Sequence, residues 1–170
     1  MIYFQLHRCD ASQDDRYYIT MAITIRHSLP SDIPSIVGFN RAMARETEDK
    51  SLDAATLEHG VRAVFENSER GFYLIAEDDG AAIGCLLITT EWSDWRNGYF
   101  WWIQSVYVVP DYRRQGVYTL LHSFVEKVAR TQSSVRGIRL YVDKNNDRAQ
   151  AVYRSLGMSP ARYDLFEKEF

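Results

Sequence analysis

One segment constrains this chain more than any other. Residues 99–109 (YFWWIQSVYVV) are almost unbroken apolar sequence, enough for a buried strand, and Pro110 stops it. After a short basic loop, Val117, Leu120, Leu121, Phe124, Val125 and Val128 recur at i, i+3, i+4, i+7, i+8 and i+11, which predicts an amphipathic helix. Ile138, Leu140 and Val142 then alternate as a strand. Two strands joined by a helix that packs on their sheet run parallel, with a right-handed crossover. The chain is thereby committed to a layered α/β architecture.

The flanking segments fill in the rest. Ile23 and Ile25 read as a strand. Ser31, Asp32 and Pro34 open a helix through Ile33, Ile36 and Val37, and a second helix runs through Leu57, Val61, Val64 and Phe65. Residues 71–77 and 81–90 read as two strands joined by a tight turn at Asp78-Asp79-Gly80. The segment 91–98 (EWSDWRNG) reads as a loop ending on Asn97-Gly98. Ala149, Val152, Tyr153 and Leu156 make a short helix that Gly157 ends. Tyr163, Leu165, Phe166 and Phe170 can supply a last strand. The expectation is a mixed α/β sheet with helices on its faces. The domain is expected over residues 21–170, from Met21 onward. Residues 1–20 are either an extension or misplaced start, or an arm that packs Tyr17, Tyr18 and Ile19 on a partner.

The chain's 170 residues fit one domain. A net charge of −3 gives no basic stripe for nucleic acid, and no Lys/Arg run marks a membrane-surface patch. No apolar stretch is long enough to span a bilayer, and residues 1–20 lack the apolar core of a signal peptide. The two cysteines, Cys9 and Cys85, form no framework, which points to a reducing cytoplasm. The histidines, His7, His27, His59 and His122, are too scattered for a metal site, so no metal is expected. Aromatics at 14% suit a pocket or interface and are compatible with a homodimer.

Chemistry concentrates in residues 106–118 (VYVVPDYRRQGVY), where a strand ends, a basic loop turns and a helix starts at Gly116. Unpaired N–H groups and the positive end of the helix dipole suit an anion there, Gly116 lets it approach closely, and Arg113 and Arg114 add charge. A solvated connection is the plainer alternative.

The run Arg113-Arg114-Gln115-Gly116-Val117-Tyr118 resembles the acyl-CoA pyrophosphate loop of the GCN5-related N-acetyltransferases, whose pattern is Gln/Arg-x-x-Gly-x-Gly/Ala. Downstream, Asn146, Ala149, Tyr153, Gly157 and Met158 resemble that family's Asn-x-x-Ala-x-x-x-Tyr-x-x-x-Gly-Phe/Met stretch. The departure is Tyr118, where the family has Gly or Ala. The resemblance covers about residues 21–170. It implies a single-domain, mostly antiparallel sheet flanked by helices, with a parallel strand pair splayed at the acyl-CoA site. It implies acetyl transfer from acetyl-CoA to a small-molecule or peptidyl primary amine. Backbone groups of Val106 and Val108 would pair with pantetheine. Arg113, Arg114, Gln115, Gly116, Val117 and Tyr118 would form the pyrophosphate loop, its amides from Arg114 onward holding the anion. Asn146 would touch pantetheine or order its loop, and Tyr153 would be the general acid. By periodicity alone Tyr153 also reads as a core aromatic.

The base is less marked. The strand 99–109 has no carboxylate, and the amide of Gln104 takes up no proton usefully. Glu91 is the candidate base, with Asp94 beside it. Glu46 and Glu48 can bind a cationic amine, and each of these carboxylates also reads as an ordinary solvated charge. Trp92, Trp95, Trp101 and Trp102 can wall the acceptor site, with at least two of them structural. The alternative to an enzyme is a CoA-binding sensor or partner-binding module without turnover.

Overall fold

A computed structural model describes residues 23–168. Residues 1–22 lie outside it, so the expected boundary at Met21 and the N-terminal arm are not tested. The elements run β1 (Thr24–His27), α1 (Ile33–Glu48), α2 (Ala54–Glu66), β2 (Phe72–Asp78), β3 (Ala81–Ser93), β4 (Gly98–Val108), α3 (Val117–Thr131), β5 (Val135–Leu140) and α4 (Asp147–Ser155). The five strands form one sheet in chain order; β1 to β4 are antiparallel and β5 joins β4 in parallel. The parallel pair is the one that the strand–helix–strand pattern demands.

Alternation along β2 shows how the sheet separates its layers. Leu74 and Ala76 point to the face covered by α3, where they meet Leu86, Ile88, Ile103, Leu121 and Val125. Tyr73 and Ile75 point to the face covered by α1 and α2, with Ile36, Val61 and Cys85. The β2–β3 turn is Asp79-Gly80, with φ of +46° and +77°, the left-handed pair that a tight hairpin needs.

Two expectations are corrected. The loop expected over 91–98 is half strand: Glu91, Trp92 and Ser93 pair with Phe100, Tyr99 and Gly98, and a short 3-10 turn at Asp94–Arg96 and left-handed Asn97 join them. Packing of Trp92 edge-on against Tyr99, with ring centroids 4.9 Å apart, carries the hairpin that far. The last strand does not form among the described residues, where 159–168 hold neither helix nor strand and Tyr163, Leu165 and Phe166 are exposed. A strand needs an edge to pair with, and alternation alone does not supply one.

The Arg26 guanidinium ties the sheet to the start of α1. It grips Asp32 through two bonds of 2.7 and 2.9 Å and donates to Glu77 at 2.7 Å. Asp32, which also accepts from the Leu29 amide, is held below the usual carboxylate range, first by Arg26. A depressed carboxyl contributes stability above its unfolded pKa, about 3.9, and loses it as pH falls through the folded value. Denaturant titrations from pH 7 to pH 3 are expected to show stability falling below about pH 4. Asp32→Asn is expected to be less stable at pH 7 and to have a shallower acid slope.

Candidate functional site

β4 and β5 stay paired from Tyr99 to Ile103, the last partner being Leu140. Beyond that point β5 ends, and that edge of β4 has no strand beside it among the described residues. Here β4 also bulges. Cys85 pairs with Tyr107 and Leu87 with Gln104, so Ser105 and Val106 together face Leu86. Ser105 takes φ +49° to make the bend. The result is a stretch of strand whose backbone groups open into a cleft of about 460 Å³, a size that suits a small ligand.

The cleft gathers most of the residues singled out in the sequence. Val106 and Val108 form its strand wall. Arg113, Arg114, Gly116, Val117 and Tyr118 form its loop and helix wall, and Asn146 and Tyr153 come from α4 opposite. Gly116 caps α3 at φ +81°, and Arg114 before it is also left-handed at φ +69°. Leu120 makes the first helical bond back to Gly116, which leaves the amides of Val117, Tyr118 and Thr119 without a partner in the helix. A Cβ at Gly116 would meet no protein atom within 4 Å. The backbone angle favours glycine there, and glycine leaves the approach to those amides open.

Three of the matched residues make hydrogen bonds within the protein. Arg113, in the cleft wall, is also held by the protein: its Nε donates to the Val108 carbonyl at 2.8 Å and its Nη2 to Glu46 at 2.7 Å, with the guanidinium over the Tyr107 ring. Gln115 does not line the cleft; its amide donates to the Asp111 carbonyl at 2.6 Å and closes the loop. The Asn146 side chain accepts from the Ala149 amide at 3.0 Å and caps α4.

Tyr153 is half-buried against the cleft, and burial raises its phenol above the ordinary tyrosine value. Tyr118 meets it edge-on, with centroids 5.5 Å apart and planes at 65°. The Tyr118 hydroxyl is buried without a partner, and burial pushes its pKa well up. The bulky departure from the family pattern thus packs beside the matched tyrosine in the wall of the cleft.

The structure does not bring Glu91 to this cleft. It sits on β3 opposite Phe100, where both its oxygens accept from Arg139 at 2.8 and 3.0 Å and Oε2 accepts from the Trp102 indole at 2.5 Å. Asp94 lies in the turn beyond it. None of the four tryptophans lines the cleft either. Trp101 is in the core against Phe72, Trp102 stacks on Tyr141, and Trp92 and Trp95 are exposed. Glu46 is closer to the loop. It accepts from the Tyr107 hydroxyl at 3.0 Å as well as from Arg113, which holds its carboxyl below the usual range. Cys85 is buried behind the bulge, and burial pushes its thiol up to about 12, as expected of an inert core thiol. Among the described residues no three metal-ligating side chains cluster, and no helix is long and apolar enough to cross a membrane.

Sequence reasoning missed Tyr112, Thr119 and Arg148, which also line the cleft. Tyr112 was signalled by its place in the loop, and its hydroxyl donates to Asp78 at 2.8 Å, which pins the loop to β2.

Comparison with known proteins bears on this geometry. A possible acetyltransferase from Clostridium difficile 630 is 39% identical, with 87% of this chain and 97% of that one covered at a TM-score of 0.82. A predicted acetyltransferase from Clostridium acetobutylicum, solved with acetyl-CoA, is 20% identical over 86% of this chain and 96% of its own, at a TM-score of 0.72. An aminoglycoside N-acetyltransferase in complex with CoA is 16% identical, with 88% and 95% covered and a TM-score of 0.69. At those two identities the likeness is one of fold. The comparison with curated proteins gave no match. The profile of the acetyltransferase (GNAT) family matches residues 39–158, from within α1 past the end of α4. With the glycine-capped helix, the open edge of β4 and the tyrosine of α4 all inside that span, the chain belongs to the acetyltransferase (GNAT) family.

Proposed function

We propose that the protein transfers an acetyl group from acetyl-CoA to a primary amine, small or peptidyl, by direct attack in a ternary complex. One observation carries this reading: the free amides at the start of α3, the open backbone edge at Val106 and Val108, and the phenol of Tyr153 all face one cleft. The amides and Arg114 hold the pyrophosphate, as a helix N-terminus holds any phosphate. The exposed backbone of β4 pairs with the pantetheine amides in the manner of an added strand. The same edge offers N–H groups to the oxygen that becomes negative when the amine attacks the thioester carbon.

Tyr153 gives its proton to the sulfur as the C–S bond breaks. Its raised pKa keeps the phenol protonated at neutral pH. The same burial penalises a free thiolate, so proton transfer accompanies bond cleavage. None of the residues that line the cleft carries a carboxylate, so water takes the proton lost by the amine. Glu46, ionised between Tyr107 and Arg113, is placed to attract a cationic acceptor rather than to serve as that base.

The missing carboxylate also favours a second reading, a CoA-binding module without turnover. Both readings require the cofactor. Thermal unfolding is therefore expected to show a rise of roughly 5–10 °C with acetyl-CoA or CoA at a hundredfold excess over Kd, equivalent to about 2.7 kcal/mol. ATP at the same concentration is the control and is expected to shift the midpoint far less. No shift with acetyl-CoA at millimolar concentration would overturn both readings. Release of thiol on adding amines separates the enzyme from the module.

A further inference from the structure

We propose that the amine acceptor carries an aromatic ring a short tether from its amine, and that this ring lies on the stacked side chains of Trp102 and Tyr141. The proposal rests on the transfer reading above and names the substrate class for it. The donor cleft is on the α3 side of the sheet, because Val106 and Val108 pack with the core beneath that helix. An amine that attacks the thioester therefore approaches from the opposite face. The way is open there: pairing of β4 with β5 stops at Ile103 and Leu140, and from Gln104 onward that edge of β4 has no neighbour among the described residues.

On the opposite face β4 presents Phe100, Trp102, Gln104 and Tyr107 in a row. Trp101 and Ile103 alternate into the α3 core, and the bulge restores the alternation at Tyr107. Tyr107 is buried, stacked on Phe39 of α1, with its hydroxyl on Glu46. Phe100, Trp102 and Gln104 are half-buried, and Gln104 donates to Thr89 Oγ1 at 2.6 Å.

The rings are locked in place. Trp102 stacks on Tyr141, with centroids 4.4 Å apart and planes at 27°, and its Nε1 donates to Glu91 at 2.5 Å. Glu91 is held in turn by Arg139, whose guanidinium lies 3.7 Å from the centroid of the Phe100 ring. The indole N–H is thus used inside the protein, and the pair offers π surface outward, with Tyr141 56% exposed. Because Arg139 neutralises Glu91, the platform has no net charge to draw a second ammonium. That favours an aryl group over a polyamine. Rings already fixed in one rotamer lose little freedom when another ring settles on them.

The spacing agrees. Trp102 and Gln104 are two residues apart, about 6.7 Å along the strand, and the open edge starts at Gln104. Tryptamine and phenylbutylamine place their amines at about that reach from the ring. Glu46, beyond Tyr107, lies at the amine end of the row.

Thiol release by the full chain with acetyl-CoA tests the class. Tryptamine and phenylbutylamine are expected to give kcat/KM about tenfold or more above butylamine, and about threefold or more above cyclohexylbutylamine, whose ring is apolar but not flat. Tyr141→Ala and Trp102→Leu are expected to lose most of that preference, and Tyr141→Phe to keep it. Neither side chain lines the donor cleft, so the acetyl-CoA melting shift reports that each variant is folded. Turnover of amines with no preference for the aromatic ring overturns the proposal and leaves acetyl transfer standing. A preference that survives in both Tyr141→Ala and Trp102→Leu also overturns it, because the ring is then bound elsewhere. A wild type that binds acetyl-CoA and acetylates none of these amines or any other overturns the transfer reading, and this proposal with it.

Discussion

Tyr153→Phe is expected to lower kcat by about a hundredfold or more while leaving the acetyl-CoA melting shift nearly intact. The ring is preserved, so its edge contact with Tyr118 and its packing on the cleft survive, and only the transferable proton is lost. Steady-state thiol release over a range of acceptor amines, set beside ligand-induced melting of the same variant, makes the measurement. A proton donor used only as the C–S bond breaks changes kcat and kcat/KM together. A core aromatic would change the melting temperature and leave turnover per folded molecule alone. If the wild type binds acetyl-CoA and turns over no amine, the module reading stands. If Tyr153→Phe turns over normally, another group protonates the sulfur.

The second large effect is one of stability. Leu121 is fully buried between α3 and the sheet, against residues of β2, β3 and β4. Leu121→Ala is expected to cost about 2–5 kcal/mol through lost transfer energy and the cavity left behind. That corresponds to a fall of roughly 5–15 °C in Tm. Leu120, one residue earlier, is 42% exposed, and Leu120→Ala is expected to stay within about 0.5 kcal/mol. Equal effects at the two positions would mean that α3 is seated on a different face. Because α3 begins at the loop proposed to hold the pyrophosphate, Leu121→Ala is also expected to weaken acetyl-CoA binding, and Leu120→Ala is not.

What could be read in the sequence follows from how local each feature is. The amphipathic stripe of α3 and the glycine at its start need only one helix and one backbone angle, so Val117, Leu121 and Gly116 were legible without any partner. The Asp79-Gly80 turn was legible for the same reason. The bulge at Ser105 was not, because it exists only in the register between β3 and β4, and serine announces no left-handed angle. Glu91 shows the same limit. Its separation from the cleft depends on how far the β3–β4 hairpin extends, which Trp92 and Tyr99 settle across strands. The tail was legible as a strand candidate, but strand formation is a property of two edges. Tyr118 was legible as a departure from a pattern; that its ring would lie against Tyr153 belongs to packing.

The bond between Arg113 and Glu46 has a consequence for anyone who would redesign the acceptor. It joins the last turns of α1 to the loop before α3, with Tyr107 of β4 held beneath. Under the proposed function, recognition of the amine and grip on the donor would thus share one strut. A segment grafted over α1 and α2 to admit a new amine would carry away Glu46 and release the guanidinium. Selectivity transplanted in that way would cost affinity for the donor unless Glu46, Tyr107 and Arg113 travelled as a set.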